Sequence, residues 1–144
     1  MLTIRSACTV NRVTKINAMK IDHINLLVSS SDTSLPYYQC LLPLLGFTHE
    51  RNSIWTNGHG FYLQFQQAKA GTHAYQRYGP GMNHLGFRAE SEQQVGDIRQ
   101  AMLDAGFETG ELQNLGGAIA LFMKDPDGIR FEITYYPPGQ DVFD

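Results

Sequence analysis

Two histidines stand in closely similar local sequences 61 residues apart, since Asp22-His23-Ile24 matches Asn83-His84-Leu85. Imidazole is a common ligand of divalent ions such as zinc, nickel, cobalt, iron and manganese. Taken singly, either histidine is more simply explained as a hydrogen-bonded group of the fold. Their matching surroundings instead suggest one shared role, which the rest of the sequence must support.

A glutamine and a glutamate occupy a second pair of matching positions. The segment GFYLQF at residues 60–65 corresponds to GIRFEI at residues 128–133, which aligns Gln64 with Glu132. Amide and carboxylate oxygens, added to two imidazole nitrogens, make a mixed donor set that suits a transition metal better than magnesium or calcium. The pattern therefore predicts a divalent-metal site (Zn, Ni, Co, Fe or Mn) formed by His23, Gln64, His84 and Glu132.

The other polar residues of the same strands are predicted to line a substrate cleft. Side chains two apart in a strand share a face, so His23 and Asn25 lie opposite Ile24 and Leu26. The apolar faces must cover helices, which leaves the polar faces for the cleft. The predicted substrate-binding residues are Asn25, Tyr62, Arg88 and Arg130. The arginines suit a carboxylate or a phosphate, although an ion pair with Glu132 explains them equally well.

The elements that position these residues follow the same repeat, and a third landmark, Gly46-Phe47 against Gly106-Phe107, completes it. Each of these glycines ends a predicted helix. The first helix covers about residues 32–45, and Ser91 opens the second with Gln94 as its capping partner. Strands are predicted at residues 21–28, 47–50, 53–56 and 61–66, then at 84–89, 107–109, 118–123 and 129–136, with a loop at 112–118.

This organisation predicts an α+β fold of two tandem βαβββ modules, related by a pseudo-twofold axis, with their sheets curved around a shared cleft. Residues 1–18 carry three basic residues and no acidic one, and we interpret them as an N-terminal extension without chemistry. A single domain is predicted over residues 19–144. It divides into module one at about 19–67, a linker at 68–81, module two at about 82–136 and a tail at 137–144.

The bulk composition excludes several classes of protein. A chain of 144 residues with 42% apolar residues fits one globular domain with its own core. The formal net charge of −3 offers no basic surface for nucleic acid or an anionic membrane. Cys8 and Cys40 stand in no CxxC spacing, so a reducing compartment, the cytoplasm, is expected.

These motifs resemble those of the vicinal oxygen chelate superfamily, which includes glyoxalases, bleomycin-resistance proteins, epimerases, fosfomycin-resistance enzymes and extradiol dioxygenases. The resemblance covers roughly residues 19–136 and is most specific in DPDGIRFE at residues 125–132, with DHI at 22–24, LLGF at 44–47 and NHLGF at 83–87. In that superfamily the first and last strands of each module supply the metal ligands. The resemblance therefore implies the same four ligands and, because members commonly dimerise, a homodimer.

The resemblance implies an enzyme whose metal stabilises negative charge on two adjacent oxygens of a small substrate, with glyoxalase-type lyase or isomerase activity favoured. Glu132 is the only carboxylate of the set, so it would act as ligand and as catalytic base. Gln64 departs from the pattern of glyoxalase-like members, which often carry glutamate there. The glutamine leaves the site one charge less negative.

Three alternatives stay open at this point. A triad of His23, His84 and Glu132 without Gln64 resembles the Fe(II) site of the extradiol dioxygenases. A metal-free protein of the bleomycin-resistance kind would sequester a small molecule without converting it. A third possibility is a relic that keeps the fold but has no ligand. The fold does not decide among these alternatives, because one scaffold hosts many functions.

Overall fold

The protein is described here by a computed structural model covering residues 18–141, a range that contains two helices and eight strands. Module one consists of β1 (His23–Val28), α1 (Ser31–Leu44), β2 (Thr48–Arg51), β3 (Ile54–Thr56) and β4 (Tyr62–Gln67). Module two consists of β5 (Leu85–Ala89), α2 (Glu92–Asp104), β6 (Gln113–Leu115), β7 (Ala118–Lys124) and β8 (Arg130–Tyr135).

Each module forms one four-stranded mixed sheet. The strand order is β1-β4-β3-β2 in module one and β5-β8-β7-β6 in module two. The first and last strands of each module are parallel neighbours, and the remaining pairs are antiparallel. The sheets do not close into a barrel. This architecture confirms the predicted α+β fold of two tandem βαβββ modules.

The repeat extends to the register of the parallel strands. Gln64 lies opposite Asn25 in the first sheet, and Glu132 lies opposite Gly86 in the second. The histidine of each module stands two positions before that partner along the chain. The geometric relation between histidine and oxygen ligand is therefore the same in both sheets.

Serine caps begin both helices, of which the Ser91 cap was predicted and the Ser30 cap was not. The hydroxyl of Ser30 accepts from the Thr33 amide at 3.4 Å, and that of Ser91 accepts from the Gln94 amide at 3.1 Å. The side chain of Gln94 returns a hydrogen bond to the amide of Glu90, one residue before the cap, at 2.8 Å. Both helices end before glycines with left-handed backbone, as predicted.

One hydrophobic core joins the two modules, and α1 lies at its centre. The fully buried ring of Tyr38 lies 4.1 Å from that of Phe65 on β4 and 5.7 Å from that of Phe131 on β8, measured between centroids. Tyr37 contacts Phe107, just after α2, at 5.3 Å. The apolar face of the first sheet thus packs against α1 and that of the second mainly against α2, with Tyr38 of α1 reaching Phe131 of the second sheet. The polar faces of both sheets lie on the sides away from the helices.

The turns before β4 and β8 use the same hydrogen-bonding device. The side-chain oxygen of Asn57 accepts from the amides of His59 and Phe61 at 2.8 and 3.2 Å. Oδ1 of Asp125 accepts from the corresponding amides of Asp127 and Ile129, at 2.9 and 2.8 Å. An Asx turn therefore sets the start of the ligand-bearing strand in each module.

The strand predicted at residues 107–109 is wrong. Residues 107–112 are irregular, and the fourth strand is β6, inside the segment predicted as a loop. The chain passes very close to β7 at Gly110, where an added Cβ would lie 2.8 Å from the Phe122 carbonyl oxygen. Gly116 and Gly117, both with positive φ, then form the turn between β6 and β7. A Gly-Gly pair is a hairpin signal, which the prediction of a loop at 112–118 overlooked.

The predicted N-terminal extension at residues 1–18 lies outside the described residues except for Ala18, and Cys8 lies outside them as well. The predicted tail is described only as far as Asp141. Between these limits, neither helix combines the length and apolarity that a membrane span requires.

Candidate metal centre

The structure brings together one histidine and the carboxylate of the predicted site. Nε2 of His84 lies 2.9 Å from Oε2 of Glu132. The register explains the contact, because Glu132 lies opposite Gly86, two residues after the histidine. A Cβ at Gly86 would lie 4.0 Å from Oε2, so the glycine leaves space above the carboxylate. With 37% of the His84 side chain and 16% of the Glu132 side chain exposed, a solute can reach the pair.

Asn83 determines which ring nitrogen of His84 faces the carboxylate. The Nδ2 group of Asn83 donates to the Arg77 carbonyl at 3.1 Å, so its Oδ1 is the atom that lies 2.7 Å from Nδ1 of His84. An amide oxygen can only accept, and Nδ1 must therefore carry a proton. The hydroxyl of Tyr75 secures the same segment by donating to the backbone carbonyls of Met82 and Asn83 at 2.6 and 2.9 Å.

Thr134 contacts the carboxylate of this pair, and Phe122 contacts its imidazole. The buried hydroxyl of Thr134 donates to Oε1 of Glu132 at 2.5 Å. Phe122 lies opposite Glu132 on β7, and its ring meets that of His84 edge-on with 6.1 Å between centroids. These contacts restrict rotation of both the imidazole and the carboxylate.

The chemistry of this pair fits a metal ion. Both ring nitrogens of His84 face an acceptor oxygen, Nδ1 at 2.7 Å and Nε2 at 2.9 Å, so a ring with its single proton on Nδ1 presents a lone pair to the Glu132 carboxylate. Two acceptors at that distance require a proton or a cation beside them. Imidazole nitrogen and carboxylate oxygen are ligands of zinc, iron and their neighbours. A hydrogen bond on the far ring nitrogen is typical of metal-bound histidines.

His23 repeats part of this arrangement on the polar face of module one. Its Nδ1 lies 2.6 Å from Oδ2 of Asp22, the residue that corresponds to Asn83. The side chain of His23 is 51% exposed, and Nε2 is the nitrogen left for a ligand role. Gln64 lies on the same face and is half-buried. Module one thus pairs a histidine with an amide oxygen where module two pairs one with a carboxylate.

The two pairs do not meet within one chain. Among residues 18–141, no three histidine, cysteine, aspartate or glutamate side chains lie close enough together to hold a metal ion. His23 therefore does not lie close enough to His84 and Glu132 to share a metal ion with them in the same chain. The chain therefore presents two half-sites, the His23–Gln64 half-site and the His84–Glu132 half-site, on faces that both point away from the core.

The predicted substrate-binding residues of module one lie beside the His23–Gln64 half-site. Tyr62 lies opposite His23 and is half-buried. Asn25 lies opposite Gln64, and its Nδ2 group donates to Oε1 of Gln66 at 3.1 Å. The Asn25 amide thus already has a partner in its own sheet, whereas the Tyr62 hydroxyl has no hydrogen-bond partner among residues 18–141.

The two predicted arginines differ in their availability. Arg88 lies 3.5 Å from the Asp141 carboxylate, and its guanidinium stacks over the Tyr136 ring at 4.8 Å. Arg130 begins β8 two residues before Glu132, is half-buried, and forms no ion pair with any other part of the described chain. Neither arginine pairs with Glu132. Arg130 is thus the arginine better placed to receive an anionic ligand.

Sequence reasoning missed three residues that hold the candidate ligands in place. Asp22 and Asn83 directly precede the two histidines in the matched triplets, and both present an oxygen to Nδ1. Thr134 stands two residues after Glu132 and therefore on the same strand face. The repeat and the strand alternation contain both signals, so these contacts could have been predicted.

Comparison with known proteins places this geometry in a family. The family model of the Glyoxalase/Bleomycin resistance protein/Dioxygenase superfamily matches residues 20–133. The chain belongs to this superfamily. The resemblance seen in the motifs is thereby confirmed, and members of the superfamily commonly use divalent metals, bind small molecules and often form dimers.

Individual relatives agree with this placement. The chain is 31% identical over 124 residues to the uncharacterized protein YqjT of Bacillus subtilis (strain 168), a match that covers 78% of this chain and 95% of the relative. A Bacillus halodurans structure, provisionally named a glyoxalase, aligns with a TM-score of 0.70 at 24% identity, over 81% of this chain and 95% of that one. A glyoxylase/bleomycin resistance protein/dioxygenase domain from Frankia sp. EAN1pec aligns with a TM-score of 0.68 at 21% identity, over 86% and 96%. At these identities the two structures show a common fold and no more.

Proposed function

We propose that this superfamily member is a divalent-metal-dependent enzyme acting on a small substrate with two adjacent oxygens, with lyase or isomerase chemistry of the glyoxalase type favoured. The observation that carries the proposal is the His84–Glu132 contact at 2.9 Å. Asn83 holds the far nitrogen of this histidine and Thr134 holds the far oxygen of this carboxylate. Such outer contacts are the usual support of metal ligands.

A second copy of the chain would complete the site. Each half-site supplies only two donors, whereas transition-metal sites in proteins use three or four protein ligands. The polar face of module one also exposes apolar surface, since Leu27 on β1 is 55% exposed and Ile21 just before it is 74% exposed. In a twofold dimer the His23–Gln64 half-site of one copy would face the His84–Glu132 half-site of the other.

Within this dimer each residue has a distinct role. The metal, when bound by His23, Gln64, His84 and Glu132, would stabilise negative charge developing on the substrate oxygens. Arg130 would hold a carboxylate or phosphate of the substrate. Glu132 would also accept the transferred proton, because the Gln64 amide cannot. The hydrogen bond from Thr134 to Oε1 leaves Oε2 of Glu132 directed at the histidine.

Metal binding by purified protein tests the proposal. Wild-type protein equilibrated with Co(II) or Ni(II) is expected to retain about one metal per chain, as a twofold dimer with two sites requires. His84→Ala and Glu132→Gln should lose the metal. His73→Ala is the matched control, because within residues 18–141 this exposed histidine hydrogen-bonds only to the neighbouring Ala74 carbonyl. The proposal fails if the wild type retains less than about a tenth of an equivalent of any transition metal.

Two further candidate functions each have an observation in their favour. The neutral Gln64 beside three stronger donors favours a two-histidine, one-carboxylate Fe(II) site of the dioxygenase kind, for which oxygen uptake with catechols is the test. The separation of the two half-sites within one chain favours a metal-free binding protein if the chain is monomeric. Protein that binds no metal but binds an added small molecule without converting it would select that function.

A further inference from the structure

We infer that Asp22 and Asn83 are positioning residues of the metal centre. Each fixes the tautomer of the histidine that follows it, with the proton on Nδ1, and so presents Nε2 as the ligand atom. The purpose of this arrangement rests on the proposed function. The fixed tautomer itself is a property of the protein without metal and can be measured there.

The oxygen contact to Nδ1 recurs at equivalent places in the two modules. The Asp22 carboxylate lies 2.6 Å from Nδ1 of His23, and the Asn83 amide oxygen lies 2.7 Å from Nδ1 of His84. Both acceptors belong to the residue just before the histidine. Neither oxygen can donate while the carboxylate is ionised, so each ring must supply the proton from Nδ1.

The orientation of the Asn83 amide is itself fixed by its surroundings. Rotating the amide by half a turn would place its oxygen 3.1 Å from the Arg77 carbonyl oxygen and its NH₂ group against Nδ1 of His84. The first of these contacts opposes two acceptors. The Tyr75 hydroxyl also holds the Asn83 backbone carbonyl, so the whole residue is secured independently of the imidazole.

The two modules place their carboxylate at different positions around the histidine. Module one combines the carboxylate of Asp22 with the neutral ligand Gln64, whereas module two combines the neutral Asn83 with the carboxylate ligand Glu132. Each half-site therefore carries one carboxylate, either behind the histidine or beside it. A carboxylate on Nδ1 makes imidazole a stronger ligand, so Asp22 offsets at His23 the weak donation of Gln64.

Long-range ¹H–¹⁵N NMR of the histidine rings tests the fixed tautomers in metal-free protein. At about pH 8.5 an ordinary imidazole is neutral and, when unrestrained, exchanges between both tautomers. In metal-free protein His23 is expected in the Nδ1–H form. His84 is expected in that form in a Glu132→Ala background, because this variant removes the carboxylate that would accept a proton from Nε2. Asn83→Leu in that background should release His84, and Asp22→Leu should release His23, each without changing the other ring.

Two further variants separate positioning from a general loosening of the segment. Tyr75→Phe removes the other anchor of this segment but no contact to the ring, so His84 should keep its proton on Nδ1. Asn83→Asp keeps an acceptor oxygen and should do the same. The inference is overturned if His23 in the wild type, or His84 in the Glu132→Ala background, populates mainly the Nε2–H form. It is also overturned if Asn83→Leu leaves His84 unchanged in that background, or if Tyr75→Phe releases it there as fully as Asn83→Leu.

Measurements of metal affinity test whether a carboxylate at position 22 can be replaced by one at position 64. Asp22→Asn should weaken Co(II) binding about 10- to 100-fold, and adding Gln64→Glu, which gives module one the pattern of module two, should recover the loss. If the double variant bound Co(II) no more tightly than Asp22→Asn, the two carboxylate positions would not be equivalent. If the tautomers respond as expected but the wild type binds no metal, the proposed function fails and the positioning stands. If metal binds while the tautomers ignore both residues, the positioning fails alone.

Discussion

At the scale of single residues, the His84–Glu132 half-site depends on groups that never touch a ligand. The hydroxyl of Thr134, only 2% exposed, donates to Oε1 of Glu132 and leaves Oε2 facing the histidine. A buried hydroxyl that donates to a carboxylate restricts the rotation of that carboxylate. Thr134 is therefore expected to contribute to metal affinity more than to the fold.

Replacing Thr134 tests this role. Thr134→Val keeps the shape of the side chain but removes the donor, and it should weaken Co(II) binding about 10- to 100-fold. Thr134→Ser keeps the hydroxyl and should bind Co(II) like the wild type. Equal affinities of the valine and wild-type proteins would show that Oε1 needs no partner.

The sequence predicts the identities of the candidate ligands but not their grouping. Strand alternation and the repeat place His23, Gln64, His84 and Glu132 on polar faces, as the structure shows. Whether those faces meet within one chain depends on how the modules pack. That packing is decided by long-range contacts such as the one between Tyr38 and Phe131, which no local pattern encodes.

At the scale of the elements, local signals predict the helices well and the edge of sheet two poorly. Helix ends follow from the serine caps and the terminal glycines, which act within a few residues. The strand predicted at 107–109 fails because the chain near Gly110 lies against the Phe122 carbonyl. Only the neighbouring strand shows that constraint.

Two glycine substitutions test this account of the sheet edge. Gly110→Ala would place a methyl group 2.8 Å from a backbone oxygen and should lower the free energy of unfolding by about 1–3 kcal/mol. Gly96→Ala, inside α2 with open space around it, should raise it by about 0.5–1 kcal/mol. Urea unfolding measures both. Gly110→Ala as stable as Gly96→Ala would mean that the close approach is not real.

At the scale of the whole molecule, one buried hydrogen bond ties the helix of module one to the turn of module two. The Tyr38 hydroxyl donates to Oδ2 of Asp125 at 2.6 Å. Tyr38→Phe would leave that buried oxygen without its partner, and should lower the free energy of unfolding by about 1–3 kcal/mol. Thermal unfolding measures the loss. An unchanged stability would contradict this role of the Tyr38–Asp125 hydrogen bond.

The same carboxyl group makes stability depend on pH. Burial raises the pKa of Asp125, although hydrogen bonds from Tyr38 and two backbone amides oppose the rise. Because the folded protein then holds this proton more tightly than the unfolded chain, the Asp125 contribution falls as pH rises from about 3.9 through the raised pKa. Asp125→Asn should remove that part of the fall and keep the turn, since Asn57 forms the same turn in module one. Urea unfolding at several pH values tests this, and an unaltered profile in the variant would contradict it.

The proposal for the assembled protein is that each metal site takes His23 and Gln64 from one copy and His84 and Glu132 from another. The most direct test is complementation between His23→Ala and His84→Ala, co-expressed with different tags and purified through both. In such a heterodimer one site loses both histidines and the other keeps both. The account predicts about one Co(II) per heterodimer and almost none in either variant alone. A heterodimer that binds no metal while the wild type binds it, or the absence of any doubly tagged species, would contradict it.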